Sequence, residues 1–279
     1  MKSTKQALLL LTTTPTSYLG ITMDFISLSF EVLAMLFGVA LFAGIIDTMA
    51  GGGGLITVPA LLLSGLNPLA ALATNKIQSV MGSATASVMM LRKKKVSWHA
   101  IKSFMLMSFI GSTLGTIAVQ FIDTSILQIA IPIVLFFIGI YFLLSPYINK
   151  IERIKNAAPQ TDKKYKYLTV PFIGLYDGVL GPGTGSFFSL AGFSLRKLPL
   201  VEAIAQAKTL NFASNLASLI VFIFSGQVAW VAGIVMMLGQ LIGAWIGSHL
   251  LVKAKPELLR WVVIIVCFTV LGKYIADKL

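Results

Sequence analysis

The chain has 279 residues, of which 57% are hydrophobic and only 11% are charged. Soluble domains average about 45–50% apolar and about 25% charged residues, so this composition excludes a water-soluble globular domain. The net charge of +12 lies mainly in short loops between apolar stretches, which indicates membrane topology and not nucleic-acid binding. With Cys267 as the sole cysteine and only His99 and His249 as histidines, neither a disulfide framework nor a metal site is expected, and no cofactor is predicted.

The first residues, 1–24, are predicted to be an N-terminal extension. Lys2 and Lys5 followed by the apolar residues 7–11 weakly resemble a signal peptide, but the apolar core is short and a Thr/Pro run follows it. A disordered extension is therefore expected, with a signal peptide as the alternative, and Met23 is a second candidate for the natural start.

Apolar stretches suited to crossing a bilayer follow one another along the rest of the chain. A helical crossing needs about 20 such residues. The long stretches are residues 32–49, 70–91, 103–122, 126–144, 200–224, 228–252 and 258–276, with shorter ones at 55–66, 168–180 and 187–195. The pattern predicts an all-α polytopic membrane protein with about eight full spans.

An internal repeat divides the chain into two halves. Residues of the first half recur in the second half in the same order and at a constant spacing along the chain, which is slightly smaller for the earliest block. The matches are Lys76 with Lys208, Val96 with Val228, Trp98 with Trp230, Gly111 with Gly243, Gly115 with Gly247, and Gly44 to Asp47 with Gly174 to Asp177. We therefore predict a first transmembrane repeat at 25–147, a basic cytoplasmic linker at 148–167 and a second repeat at 168–279.

The loop charges distinguish an inverted from a parallel arrangement of the repeats. The basic loop 92–95 matches the uncharged loop 225–227, while the uncharged loop 66–68 matches a loop that carries Arg196 and Lys197. Likewise 122–124 has no cation and its partner carries Lys253 and Lys255. Since cytoplasmic loops are enriched in cations, the sequence predicts two inverted repeats with both termini outside.

Lys76 and Lys208 lie inside apolar stretches at matching positions. A lysine at the bilayer centre costs roughly 2.5–3.5 kcal/mol, so it normally faces a cavity or a partner. We expect both to attract an anion, with the flanking amides binding its oxygens: Asn75, Gln78, Gln206 and Asn211. The alternative is that each lysine extends to the membrane surface.

Two glycine clusters interrupt the apolar pattern at matching places. They comprise Gly51, Gly52, Gly53 and Gly54 in the first half, and Gly181, Gly183 and Gly185 around Pro182 in the second. They predict broken or re-entrant half-helices that begin near Leu55 and Gly185, whose bare N–H groups would bind an oxyanion. The alternative is close helix packing, which we expect for the Gly111/Gly115 and Gly243/Gly247 pairs.

Asp47 and Asp177 immediately precede the glycine clusters. One interpretation is a carboxylate that couples transport to a proton or cation. The others are a cap on the broken helix or a counter-ion to the lysines.

The glycine-rich block 43–59, followed by the Thr74-Asn75-Lys76 block at 71–78, resembles the sulfite exporter (TauE/SafE) family of bacterial permeases. Residues 176–186 and 207–215 resemble the second repeat of that family, and the likeness covers roughly residues 25–275. The resemblance implies transport of sulfite, sulfonates or related organosulfur anions through the inner membrane.

The function predicted is that of a secondary transporter, an exporter of a small anion, in the inner (plasma) membrane. An anion channel and a structural membrane protein are the alternatives; no constellation of catalytic residues favours an enzyme, and no nucleotide-binding motif indicates ATP use. The expected partners are the small anion, the lipid bilayer and a coupling proton or cation. The sequence does not decide whether the protein forms a homodimer, and binding to nucleic acid is not expected.

Overall fold

The computed structural model describes residues 28–148 and 162–250, and single positions at 261, 264, 265, 268 and 272. The predicted extension 1–24, most of the linker 148–167 and nearly all of the apolar stretch 258–276 lie outside the described residues. The described part of the chain is helical and contains no β-strand.

The helices follow the same order in both halves. The first half contains α1 (Phe30–Ala50), α2 (Gly54–Leu63), α3 (Pro68–Arg92), α4 (Trp98–Val119) and α5 (Thr124–Ile148). In the second half, the helical turn Asp162–Lys164 and the π-helical turn Tyr165–Thr169 lead into α6 (Val170–Val179), α7 (Thr184–Arg196), α8 (Leu200–Phe224) and α9 (Trp230–Leu250). In each half, a short helix follows the glycine cluster and precedes the 25-residue helix that carries the lysine.

Local sequence explains several of the helix ends. Asn67 caps α3 by accepting from the Ala70 N–H at 2.8 Å, and Pro68 occupies the first helical position. Gly51 ends α1 in a left-handed conformation with φ +84°. In the loop before α5, Asp123 accepts from the Ser125 N–H at 2.8 Å, and this hydrogen bond holds the pKa of the carboxyl below its usual value.

Four helices in the described residues are long and apolar enough to cross a membrane: Phe30–Met49, Trp98–Val119, Val201–Phe224 and Trp230–Leu250. Large apolar side chains are exposed on their outer surfaces and on α5 and α6, as a lipid environment favours. Helix α3 is long but carries polar residues at its centre, and α2 is short. The predicted count of about eight full spans therefore stays a prediction.

In each half, the helix before the glycine break packs against a helix of the other half. Helix α1 of the first half packs most extensively on α9 of the second, and α6 of the second half packs on α4 of the first. The predicted packing glycines lie at these contacts: a Cβ on any of them would collide with a carbonyl of the facing helix. The contacts are Gly111 with Pro171, Gly115 with Leu175, Gly243 with Leu41 and Gly247 with Ile45. The expectation that these glycines allow close packing is confirmed.

Helix α2 runs back alongside α1 as a half-helix. Near the glycine break, Ile46 and Met49 of α1 share an apolar cluster with Leu55 of α2. Farther from the break, Leu36 of α1 clusters with Leu61 of α2. The predicted chain reversal at the first glycine cluster is therefore present, and the break lies inside the helical bundle.

Candidate functional site

The two glycine breaks meet at the centre of the protein. The Ser186 N–H at the start of α7 donates to the Gly51 carbonyl at 3.0 Å. A Cβ on Gly51 would lie 2.5 Å from the carbonyl carbon of Gly185, and a Cβ on Gly185 would lie 2.9 Å from Gly51 Cα. This backbone-to-backbone contact, together with the positive φ of Gly51, requires glycine at both positions.

The remaining cluster glycines have different neighbours. A Cβ on Gly54 would face Pro182 at 3.3 Å, so it too lies between the breaks, and Gly52 is buried beside it. Gly181 has φ +89°, and a Cβ there would lie 2.9 Å from the Lys76 ammonium. Gly183, also with positive φ, faces the apolar side chain of Ile138 on α5. Of the cluster glycines, Gly53 and Gly181 thus lie beside the charged residues Asp47 and Lys76, whereas Gly183 faces an apolar side chain.

Asp47 occupies the N-terminal end of the half-helix α2. Its Oδ1 accepts from the Gly53 N–H at 3.1 Å, and its backbone carbonyl accepts from the Gly51 N–H at 2.7 Å. A helix N-terminus carries a partial positive charge and bare N–H groups, which a carboxylate satisfies. In this structure Asp47 therefore caps the broken helix.

The two buried lysines pair with aspartates of the opposite half. Lys76 Nζ donates to Asp177 Oδ1 at 2.9 Å and to the Asp177 carbonyl at 2.6 Å. Lys208 Nζ donates to Asp47 Oδ2 at 3.1 Å and also to the Asp47 carbonyl. Each lysine thus reaches both a carboxylate and the last turns of α1 or α6, where the helix dipole favours a cation.

Neither lysine extends to the membrane surface. Lys76 is 1% exposed and Lys208 is fully buried. Removing a charge from water costs several kcal/mol per ion, which only a close partner with good geometry offsets. The two cations and two carboxylates balance one another, so the centre carries no net charge when all four groups are ionised.

A network of side-chain hydrogen bonds extends from the first break. Thr57 Oγ1 donates to Asn75 Oδ1 at 2.6 Å, and Gln78 Nε2 donates to Thr57 Oγ1 at 2.8 Å and to Asn75 Oδ1 at 2.6 Å. All three residues are buried, and Gln78 Oε1 has no partner among the described residues. Thr57, four residues after Gly53, was not among the predicted site residues, although it is a polar residue within an apolar run.

The second half has no equivalent of this amide network in the described part of the chain. The Asn215 side chain donates to the Asn211 carbonyl at 2.8 Å. Gln206 Oε1 is buried, has no hydrogen-bond partner among the described residues, and faces Gly192, in the body of α7 and away from its first turn. The structure thus brings Asn75, Lys76 and Gln78 together near the break, whereas Gln206 lies along the α7–α8 contact.

An apolar cavity of about 400 Å³ lies beside α6 and α7 but does not include the lysines. It is lined by Phe172, Ile173, Leu175, Tyr176, Val179, Leu180 and Phe187. Tyr176 directs its hydroxyl away to the Pro182 carbonyl at 2.6 Å, bracing the second break. Such a surface suits lipid or apolar groups and not an anion.

Comparison with known proteins identifies the family. The family described as Sulfite exporter TauE/SafE matches residues 36–274. A protein of Haemophilus influenzae named "Probable membrane transporter protein" is 41% identical over 248 residues, covering 89% of this chain and 96% of its own. "Probable membrane transporter protein YfcA" of Escherichia coli K12 is 39% identical over 88% of this chain and 91% of its own.

A more distant relative is "Probable membrane transporter protein YunE" of Bacillus subtilis, at 23% identity over 80% of this chain and 87% of its own. No solved structure gives a significant match. The matched range contains both glycine breaks and both lysine–aspartate pairs. The chain therefore belongs to the sulfite exporter TauE/SafE family of membrane transporters.

Proposed function

We propose that this protein is a secondary transporter that exports a small anion across the inner membrane by alternating access. Sulfite is the first candidate substrate, followed by sulfonates and other organosulfur anions, because the family takes its name from sulfite export. The relatives are named only as membrane transporters, so the substrate rests on the family description and on the chemistry of the centre.

The observation that carries the proposal is the position of Asp47. This carboxylate accepts from the N-terminal amide of α2 and from a buried lysine of the other half. Those donors are the ones that an oxyanion requires. Asp47 therefore acts as an internal substitute for substrate, which an entering anion would displace.

Lys76 and the side-chain amides of the first half complete the proposed site. Lys76 pairs with Asp177 beside Gly181, and Asn75 and Gln78 lie on the same helix, α3. An anion between the breaks would gain two cations, and the amides would hydrogen-bond its remaining oxygens. Gln206 and Asn211, which lie on α8, would join only after a rearrangement of that helix.

The reciprocal packing and the loop charges together support an inverted-repeat mechanism. The pairing of α1 with α9 mirrors that of α6 with α4, as expected if a two-fold axis relates the halves, and the loop charges favour an axis in the membrane plane. Rocking of one half against the other would then expose the centre first to one side and then to the other. About eight spans, a cytoplasmic linker and external termini remain part of this proposal.

Counterflow in proteoliposomes tests the proposal. Radiolabelled sulfite, sulfate, taurine and sulfoacetate would be offered to wild type, Lys76→Ala and Lys208→Ala. Lys93→Ala is the matched control, because it removes a cation that contacts the Ser248 carbonyl at 3.3 Å, away from the breaks.

Saturable exchange of one anion by wild type and the control, lost in both site variants, supports the proposal. Exchange that saturates in none of the proteins but follows the membrane potential would favour an anion channel. Exchange that persists in both site variants would overturn the lysine site.

A further inference from the structure

The two aspartates of the centre differ in how their oxygens are used. Asp47 has both oxygens bonded, Oδ1 to the Gly53 N–H and Oδ2 to Lys208. Asp177 bonds Lys76 through Oδ1, whereas its Oδ2 is buried with no partner among the described residues. Asp177 is 1% exposed, so solvent does not satisfy this oxygen.

The second glycine break does not supply the missing partner. Asp47 accepts a hydrogen bond from Gly53, the third residue of the first break, whereas the N–H of the corresponding Gly183 does not reach Asp177 Oδ2. Pro182, the residue before Gly183, has no N–H to offer. The neighbouring amides are used by backbone carbonyls: Gly181 N–H donates to Tyr176 at 3.3 Å and Thr184 N–H to Gly181 at 3.2 Å. A charged carboxylate with an unsatisfied buried oxygen is destabilised relative to its neutral form.

Among the described residues, Lys76 is the only charged residue that pairs with Asp177. From α8, Lys208 is held by Asp47, and from α7, Arg196 pairs with Asp162 at 2.7 Å. Helix α4 faces α6 with glycine, serine and threonine residues, and its titratable residues, His99 and Lys102, are exposed near its start. On α6 itself, the Tyr176 hydroxyl donates to Pro182.

We propose that Asp177, and not Asp47, binds the proton that travels with the transported anion. This inference rests on the proposed function, because it assigns the coupling ion of that same site. A proton adds to Oδ2 and neutralises the carboxylate, so Lys76 keeps its bond to the Asp177 carbonyl but loses its counter-charge. The entering anion then supplies the negative charge that Asp177 gave up.

The charge balance fixes the expected coupling. With Asp177 ionised, an added monovalent anion leaves the buried centre with one uncompensated negative charge, which is costly in a low-dielectric interior. With Asp177 protonated, the same anion restores neutrality. One proton therefore accompanies one monovalent anion in the same direction, so the step moves no net charge and the membrane potential does not drive it. The outward anion gradient drives export, and a pH gradient that is acid outside opposes it.

Infrared difference spectroscopy detects this proton without any substrate. Purified protein with ¹³C-labelled aspartate in lipid would be titrated with acid, and the isotope-shifted C=O band of protonated aspartate recorded for wild type, Asp177→Asn and Asp47→Asn. The wild-type and Asp47→Asn proteins should both show a buried aspartic acid band, and Asp177→Asn should lack it. Asp177→Glu serves as a second variant that keeps an acid at the position, and it should lack the isotope-shifted band as well.

A band that persists in both Asp177 variants, or disappears only in Asp47→Asn, would overturn the assignment. Counterflow of methanesulfonate on the same preparations separates this inference from the proposed function, because this sulfonate is monovalent and does not itself titrate over the pH range used. In wild type the rate should rise by up to about tenfold for each unit by which the pH falls, over the range in which the protonated-aspartate band grows, and Asp177→Asn should remove that dependence.

Sulfite, sulfate, taurine and sulfoacetate are run in parallel with methanesulfonate. If none of the five compounds moves in wild type while the Asp177 band is present, the proposed function fails and the proton site stands. If an anion moves but the band does not depend on Asp177, the transporter stands and this inference falls.

Discussion

Lys76 Nζ lies 2.9 Å from Asp177 Oδ1, which joins the two halves of the chain through one buried ion pair. Lys208 and Asp47 form the reciprocal pair, so each half supplies the cation for the other half's carboxylate. Neither half alone can neutralise its own buried lysine by these contacts. The two pairs therefore make the folding of the centre and the chemistry of the site interdependent.

Removing one partner of a pair should destabilise the protein more than removing both. Lys76→Met leaves Asp177 buried without its cation, which costs about 3–5 kcal/mol in comparable cases. Lys76→Met/Asp177→Asn leaves no unpaired charge and should recover most of that free energy of unfolding. Unfolding by SDS titration in mixed micelles, followed by tryptophan fluorescence, measures the difference.

The exposed pair Arg196–Asp162 provides the control for that comparison. Asp162 has a side chain that is 72% exposed, and surface pairs contribute about 0.2–1 kcal/mol. Asp162→Asn should therefore change stability little. Equal losses for Lys76→Met and for the double variant would show that the pair does not stabilise the centre in this way.

Substitution of Gly51 should disrupt the meeting of the breaks. In Gly51→Ala the methyl group would lie 2.5 Å from the Gly185 backbone at a positive φ, so the two half-helices must separate. We expect loss of transport together with lower thermal stability. Gly38→Ala is the control, because nothing lies within 4 Å of its Cβ position on α1, and it should be neutral or gain up to about 1 kcal/mol from helix propensity.

Thermal unfolding in detergent and counterflow would be measured on both alanine variants. If Gly51→Ala matched wild type in both assays, the contact between Gly51 and Gly185 would not be part of the working protein.

The exchanged helix contacts predict a matched pair of sensitive glycines. A Cβ on Gly44 would lie 2.7 Å from the Gln240 carbonyl of α9, and one on Gly174 would lie 2.6 Å from the Ser108 carbonyl of α4. Leucine at either position should prevent the α1–α9 or α6–α4 contact and reduce the yield of monodisperse protein in size-exclusion chromatography. Gly38→Leu tests the effect of added bulk alone, and similar losses for all three variants would remove support for the exchanged packing.

Cysteine labelling tests the inverted arrangement. In a Cys267→Ser background, Lys95→Cys in the α3–α4 loop should be labelled from the cytoplasmic side by a membrane-impermeant maleimide. Gly226→Cys, in the corresponding loop between α8 and α9, should be labelled from the outside. Labelling of both cysteines from one side would contradict inverted repeats and favour the parallel arrangement.

Much of the local structure could be predicted from the sequence. Glycine runs break helices because they lack side-chain constraints, so the half-helices near Leu55 and Gly185 were predicted, and α2 and α7 begin at Gly54 and Thr184. The burial of Lys76 and Lys208 was predicted because each lies within an apolar stretch. The roles of Asp47 as cap and counter-ion were among the alternatives, and the structure contains both.

The pairing of the lysines could not be predicted from spacing. A constant offset between repeats places Lys76 equally well beside Asp47 of its own half or Asp177 of the other. The choice depends on the packing of α4 on α6 and of α1 on α9, which involves residues far apart in the chain. The contribution of Thr57 was missed for the same reason, because its importance arises from its contact with Asn75 on another helix.

Counterflow of sulfite, with sulfate and sulfoacetate in parallel, tests the central claim most directly when two double variants are compared. Lys76→Met/Asp177→Asn removes the buried pair without leaving an unpaired charge, and Arg196→Gln/Asp162→Asn removes the exposed pair. The proposal predicts that the first protein folds but exchanges no anion, whereas the second exchanges the same anion as wild type. Wild-type exchange by the Lys76→Met/Asp177→Asn protein would contradict the claim that the anion binds at the exchanged pairs.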